Sequence, residues 1–250
     1  LLSIAAAKER FADAGTRLLT AASVDALRVL VDKSATYRAL EGSGCPIPDY
    51  RLVTTVAEFR EAVAELQRRH EKVCFKPARS VYGLGFYILD KSSNGQNGVF
   101  IHPNEAIRCL ERKQPFAPTL VMEYLPGPER SVDCLAHQGQ LICSIIRRKD
   151  SGQQHIERHE HIEAIIKALT RKFTLHGIFN IQFADAHGKP HLLEINPRMS
   201  GGFPIALQAG VNLLLWAIRL SLGLASPADV PQPRWGFTVL QPETTVFASR

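Results

Sequence analysis

The stretch that most constrains this chain runs from Gly177 to Gly202, GIFNIQFADAHGKPHLLEINPRMSGG. Ile178, Phe179, Ile181 and Phe183 are β-branched or aromatic, and His187-Gly188-Lys189-Pro190 supplies a turn signal before a second apolar run. The segment therefore reads as a hairpin. Side chains alternate along a strand, so Asn180 and Gln182 share one face, as do Leu192, Glu194 and Asn196 on the second strand. With Gly188 at the centre of a three-residue loop, Gln182 lies directly across from Glu194. That register expects two amides and one carboxylate on a common face, with Arg198 at its edge. These are hard oxygen donors suited to Mg²⁺ or Mn²⁺, and they leave room for waters and phosphate oxygens. Arg198 would face a phosphate. The alternative is the polar, solvent-facing side of an ordinary hairpin; the Asn-Pro-Arg and Ser-Gly-Gly ending favours the site.

A chain of 250 residues, 45% hydrophobic and 22% charged, can bury one substantial core or those of two small lobes. The net charge of +6 comes from scattered basic residues, which suits an anionic small ligand better than a nucleic-acid surface. Five cysteines without a C-x-x-C spacing argue for a reducing compartment, the cytoplasm, over a disulfide framework or zinc site. Cys134 and Cys143 can face each other across a turn at Gln138-Gly139 and read as two buried free thiols. LLSIAAA runs straight into Lys8-Glu9-Arg10, unlike a signal peptide, and the apolar run at 211–224 is broken by Asn212 and Arg219. No membrane partner is expected. The chain does not open on Met, and residues 1–24 read as the tail of a preceding domain or a linker.

Along the chain, a short helix over Ala26–Val31 leads to Asp32-Lys33, and a second over Ala35–Glu41 ends at Gly42 and Gly44. Thr55-Val56-Ala57-Glu58 is a capping box that opens a helix to about Arg69. A strand from Lys72 delivers Lys76 ahead of Gly83-Leu84-Gly85, and Phe86–Leu89 is the next strand. A lysine placed there can hold phosphates while loop amides cover them. Asn104 is expected to cap a helix through Arg112. Thr119–Leu125 is a strand closed by Pro126-Gly127-Pro128, and Ser131–His137 with Gln140–Arg147 forms a hairpin. His155, His159 and His161 read as exposed residues of a helix whose apolar face starts at Ile162. Asn212–Leu222, apolar nearly all round, reads as a buried helix, and Phe237–Leu240 as a last strand.

Glu194-Ile195-Asn196-Pro197-Arg198 resembles the E-x-N-P-R metal and phosphate motif of the ATP-grasp superfamily. Asn180-Ile181-Gln182-Phe183 resembles the form found in carbamoyl phosphate synthetase large chains and related carboxylate-amine ligases. The D-K-x₃-Y-x-x-L pattern from Asp32 to Leu40, with Gly44-Cys45-Pro46-Ile47-Pro48 after it, resembles the entry to such a domain. The resemblance spans about Ala26 to Leu224. It implies an α+β ATP-grasp fold, two α+β lobes with the nucleotide cleft between them. The lobes would be 25–118, carrying the phosphate flap, and 119–225, carrying the metal site; 226–250 would be a C-terminal extension.

By the same resemblance, Lys33, Lys76, Gly83 and Gly85 meet phosphates. Glu123 with the backbone of Tyr124 and Leu125 meets the adenine edge, and Glu129 the ribose. Gln182, Glu194 and Asn196 hold Mg²⁺ or Mn²⁺, Arg198 and Asn196 serve the transferring phosphoryl group, and Arg147 approaches the acyl substrate or phosphate. The flap carries fewer glycines than the common pattern, and Arg79 and Tyr82 can substitute for some contacts. The implied activity is an ATP- and Mg-dependent, ADP-forming ligase that activates a small-molecule carboxylate as an acyl phosphate for attack by an amine or similar nucleophile. A homodimer is compatible with this reading. An ATP-binding regulatory or scaffold module without turnover is the alternative. A biotin-dependent carboxylase-type reaction shares the ATP site, but no bicarbonate or biotin residues can be located for it.

Overall fold

A computed structural model describes residues 1–80, 83–93 and 98–240. In chain order the elements are α1 (Leu2–Ala6), α2 (Lys8–Asp13), α3 (Val24–Leu30), α4 (Lys33–Leu40), β1 (Tyr50–Val53), α5 (Val56–Leu66), β2 (Val73–Pro77), β3 (Tyr87–Leu89) and β4 (Phe100–Ile101). They continue with α6 (Pro103–Arg112), β5 (Thr119–Glu123), β6 (Glu129–His137), β7 (Gln140–Asp150), β8 (Gln153–Glu157) and α7 (Glu160–Lys172). The last are β9 (Gly177–Ala186), β10 (Lys189–Asn196), α8 (Phe203–Ala206), α9 (Leu213–Ser221) and β11 (Phe237–Leu240). The chain is thus α+β with two sheets. It divides into two compact units. One gathers Arg28–Gly127 and Asp185–Glu194; the other takes Leu1–Leu27, Pro128–Ala184 and the chain from Ile195 onward.

The first unit is built on a five-stranded sheet of order β1-β5-β2-β3-β4. The Thr55 capping box forms, with the Thr55 hydroxyl accepting from the Glu58 amide and Glu58 reaching back to the Thr55 amide. The apolar stripe of α5, Phe59, Ala62 and Leu66, then packs on Val73, Phe75 and Val121 from alternate positions of β2 and β5. Phe59 and Phe75 meet edge to face with centroids 5.2 Å apart. Truncating Phe59 to Ala removes the centre of this layer, a loss of ~3–5 kcal/mol. The opposite face of the sheet carries Cys74, Ile88 and Met122 under Tyr50, Tyr124 and Leu193.

The second unit carries β6, β7, β8, β11 and β9 as far as Ala184 from a sheet of order β10-β9-β6-β7-β8-β11, while Asp185–Glu194, with most of β10, falls in the first unit. Leu135, Cys143, Ile145 and Ile156 form one core with Phe203, Ala206, Leu213, Ala217 and Leu220. Cys134 lies opposite Ser144, and Cys143 opposite Leu135, so the two cysteines are offset by one residue. All five cysteines are free. Burial pushes the Cys143 thiol up to about 12, and Cys134 is raised by burial with Asp133 beside it, so both are poor nucleophiles.

Several expectations change at the level of elements. Helix α4 begins at Lys33, because Asp32 caps it by accepting from the Ser34 and Ala35 amides. His102, not Asn104, caps α6, its Nδ1 taking the Asn104 amide. His155 lies in strand β8 with its ring on Thr238 Oγ1 at 2.8 Å, and His159 caps α7. Helix α9 buries Leu213, Ala217 and Leu220 but exposes Leu214, Leu215 and Ile218, so an apolar composition did not bury it whole. Among the described residues no single helix is long and apolar enough to cross a membrane.

Candidate active site

In the five-stranded unit the D-K-x₃-Y pattern has a structural reason at each position. Asp32 caps α4, which fixes Lys33 in its first turn. The buried Lys33 Nζ lies 3.2 Å from Glu194 Oε2 and donates to Ser80 at 3.2 Å to the carbonyl and 3.4 Å to Oγ. Its own amide donates to the Ala78 carbonyl at 3.0 Å. One turn on, on the same face of the helix, the fully buried Tyr37 hydroxyl donates to the Leu193 carbonyl at 2.7 Å. Helix α4 thereby holds two consecutive residues of β10, one by its carbonyl and the other by its carboxylate. Two residues expected at phosphate and metal, Lys33 and Glu194, are brought into contact.

Asp32 also pairs with Arg79 at 2.9 Å. Burial raises its carboxyl, but hydrogen bonds from Ser34 and Ala35 and the Arg79 guanidinium outweigh this and hold it below the usual carboxylate range. Lys76 is buried in β2, opposite Leu120, on the face it shares with Cys74. At the described part of the flap, Gly83 and Gly85 have φ of 69° and 79°. A Cβ on Gly85 would come within 2.9 Å of the Pro77 ring. Tyr82 lies outside the described residues.

At the end of β5, the amides of Glu123 and Tyr124 donate to Asp49 and Lys72 carbonyls at 3.0 and 2.9 Å. The Glu123 carboxylate is buried and accepts from the Asp49 amide at 3.0 Å, with His70 and His187 beside it. The expected contact of Glu123 and Tyr124 with an adenine edge is therefore narrowed, since both of their amides already donate within the sheet edge. The hairpin loop is also shorter than expected. Strand β9 ends at Ala186 and β10 starts at Lys189, leaving His187 and Gly188, both at positive φ, 52° and 72°. A two-residue loop of this kind matches strand twist, and it removes the premise that set Gln182 directly across from Glu194.

In the six-stranded unit, register aligns Gln182 with Ser131 and Ser131 with Arg147, while Asn180 aligns with Asp133. Asn180 and Gln182 thus share a polar face with Ser131, Asp133 and Arg147. Arg147 is 1% exposed. Its guanidinium donates to Asp133 Oδ2 at 2.9 Å, Ser131 Oγ at 3.0 Å, Ser200 Oγ at 2.9 Å and Gln154 Oε1. Gly202 lies so close that a Cβ there would fall 2.3 Å from Nη1. Arg147 is therefore an internal strut beneath the Ser200–Gly202 loop. Asn180 donates to Ser131, the Val132 carbonyl and Asp133 at 3.0–3.1 Å, while its own Oδ1 is buried without a partner.

Glu129 pairs with Lys149, and Arg198 is exposed, donating to the Met199 carbonyl at 3.0 Å and Asn196 Oδ1 at 3.4 Å. Sequence reasoning missed Ser131 and Asp133 as members of the polar network. The signal was their period of two within an otherwise apolar strand. A cavity of about 370 Å³ lined by Ile142, Ser144, Arg158, Lys167 and Trp235 includes none of the expected site residues.

The two sheets and the E-x-N-P-R strand end are those of the ATP-grasp class. The family model described as ATP-grasp in the biosynthetic pathway with Ter operon matches residues 115–245, and the chain belongs to this ATP-grasp family. The chain is 32% identical over 126 residues to carnosine synthase 1 of Gallus gallus, covering 42% of this chain and 13% of that protein. It is 24% identical over 239 residues to the carbamoyl phosphate synthase arginine-specific large chain of Bacillus subtilis (strain 168), covering 87% of this chain and 21% of that one. It therefore spans 13% and 21% of the lengths of these two relatives. D-alanine–D-alanine ligase from Bacillus anthracis complexed with ATP superposes with a TM-score of 0.63 at 16% identity, covering 87% and 74% of the two chains. N5-carboxyaminoimidazole synthase from Aspergillus clavatus, in complex with ADP and its ribonucleotide, gives 0.68 at 17% identity, covering 92% and 60%. At these identities the structures establish the fold.

Proposed function

We propose that this chain is the ATP-binding, phosphoryl-transferring part of an ADP-forming carboxylate-amine ligase. The observation that carries the reading is the contact between Lys33 and Glu194, 3.2 Å apart and both expected beside the triphosphate. A buried lysine held by a capped helix and a serine carbonyl is pre-positioned for a phosphate oxygen, because its donors need little reorganisation. Lys76 and the amides at Gly83 and Gly85 would meet the remaining phosphates. The Glu123 carbonyl and the Tyr124-Leu125 backbone would take the adenine edge, and Glu129 the ribose hydroxyls on release from Lys149.

Gln182, Glu194 and Asn196 offer one carboxylate and two amide oxygens, a hard donor set that fits Mg²⁺ or Mn²⁺. In the structure Lys33 places a cation 3.2 Å from the Glu194 carboxylate. When bound, the ion would neutralise phosphate charge that builds up during transfer. Arg198 is exposed and would spread charge on the same phosphoryl group. In the reaction a substrate carboxylate oxygen attacks the γ-phosphorus and ADP leaves; an amine then attacks the acyl carbon and phosphate leaves. No protein nucleophile is required. Arg147 acts as a positioning residue for the Ser200–Gly202 loop.

Carnosine synthase and D-alanine–D-alanine ligase are among the similar proteins, so amino-acid carboxylates and amines are the first acceptors to screen. The test is ADP release with Mg²⁺ across pooled carboxylates and amines, with nucleotide binding measured in parallel. ADP that appears only with a matched pair supports the ligase. Binding of ATP with no release under any pool favours the regulatory module instead.

A further inference from the structure

Antiparallel pairing brings the ends of three strands together in the five-stranded unit. Strand β5 ends at Glu123 where its neighbours β1 and β2 begin, with Tyr50 opposite Met122 and Val73 opposite Glu123. Asp49 therefore arrives just before β1 and His70 just before β2, and His187 comes from the tip of the β9–β10 hairpin. Glu123 Oε2 lies 3.2 Å from His70 Nδ1 and 3.1 Å from His187 Nε2. Glu123 Oε1 is taken by the Asp49 amide. His70 Nε2 lies 2.9 Å from Asp49 Oδ2, which also pairs with Arg69 at 2.9 Å.

A carboxylate only accepts, and a neutral His70 carries one proton for two carboxylate contacts, Nε2 on Asp49 and Nδ1 on Glu123. One of the two contacts, 2.9 Å at Nε2 or 3.2 Å at Nδ1, therefore sets an imidazole lone pair against a carboxylate oxygen. Two acceptors that close need either a second proton or a cation between them. His187 directs another nitrogen at the same oxygen, and the candidate ligand atoms of His70, Glu123 and His187 all lie within 4.8 Å of one another. Tetrahedral coordination with bonds of about 2.0–2.1 Å sets neighbouring ligand atoms about 3.3 Å apart, close to the two measured separations. We propose that His70, Glu123 and His187 form a site for zinc or a similar borderline divalent ion, with Asp49 orienting His70 from behind.

The ligand chemistry separates this site from the nucleotide metal. Two imidazoles with one carboxylate select zinc or cobalt over magnesium. His187 is exposed, which opens the fourth position to water. Asp49 holding the far nitrogen of a metal-bound histidine is the arrangement that fixes its tautomer and raises its basicity. An ion here would clip the hairpin tip to the end of β5. It would also keep the Glu123 side chain engaged, leaving only backbone groups of that strand end for a purine.

The test is titration of the tag-free, metal-stripped full chain with Co²⁺ and then Zn²⁺, without nucleotide and with Mg²⁺ in excess. One equivalent of Co²⁺ should give the visible absorption of a four-coordinate site, without a thiolate charge-transfer band, and Zn²⁺ should displace it. His187→Ala and His70→Gln should each weaken binding at least ~10-fold, and Asp49→Asn by about 10- to 100-fold. His187 is exposed, so its variant should keep the wild-type circular dichroism. Unsaturable cobalt binding, a thiolate band, or wild-type affinity in the His187 and His70 variants would overturn the site. A second proton on His70 in place of the ion would appear as the first of these outcomes.

Discussion

Lys33 concentrates much of the account in one side chain, because it depends on Asp32 for position and on Glu194 for charge. Asp32→Ala removes the cap of α4 and should lower stability by about 1 kcal/mol, read as a shift in the denaturation midpoint. The sign with pH follows from the depressed carboxyl. Its stabilising contribution is present above the unfolded Asp pKa and is lost as pH falls through the lower folded value. The difference between wild type and Asp32→Ala should therefore shrink only under acid conditions; a gap that persists unchanged at the lowest pH at which both fold would contradict it. Arg147→Ala leaves Asp133, 0% exposed, without its guanidinium, and should destabilise by ~3–5 kcal/mol. A stable Arg147→Ala protein with reduced turnover would instead restore Arg147 to direct contact with substrate.

At the scale of elements, the Pro126-Gly127-Pro128 turn packs against the end of β9. A Cβ on Gly127 would stand 2.4 Å from the Asp185 carbonyl oxygen and 2.6 Å from its Cβ, with backbone that cannot swing aside. Gly127→Ala should therefore cost about 1–3 kcal/mol in thermal or chemical unfolding. Gly201→Ala, which meets nothing within 4 Å, is the control; equal stability of the two variants would rule out the close approach. Local signals made α5, the β9–β10 hairpin and β11 legible, because capping boxes, alternation and turn residues act over a few positions. The loop length of that hairpin was not, since His187 takes a left-handed conformation that no residue type demands. Nor could local pattern show that Arg147 closes a network with Ser131, Asp133 and Ser200, partners 14 to 53 residues away. The half-exposed α9 was misread because composition reports how apolar a helix is, and not what covers it.

At the scale of the molecule, the E-x-N-P-R motif and its order after Lys33 and Lys76 carried the fold class, while the division of the chain inside the hairpin has no sequence signal. Lys33, Lys76, Glu123 and Glu194 belong to one unit, and Glu129, Gln182, Asn196 and Arg198 to the other. If these residues serve one MgATP, Glu194→Gln removes the single carboxylate offered to the ion and also the counter-charge of Lys33. A lost electrostatic donor of ~3 kcal/mol in the transition state lowers kcat about 100-fold. Turnover needs an acceptor that is still to be found, so equilibrium binding is the more direct measurement. ATP affinity should be compared with Mg²⁺ and with chelator for the wild type and for Glu194→Gln. Wild type should bind more tightly with Mg²⁺ present, and Glu194→Gln should lose at least ~10-fold of that increment while still binding ATP without the metal. A Glu194→Gln protein that retains the full Mg²⁺-dependent gain would place the metal elsewhere and contradict the site.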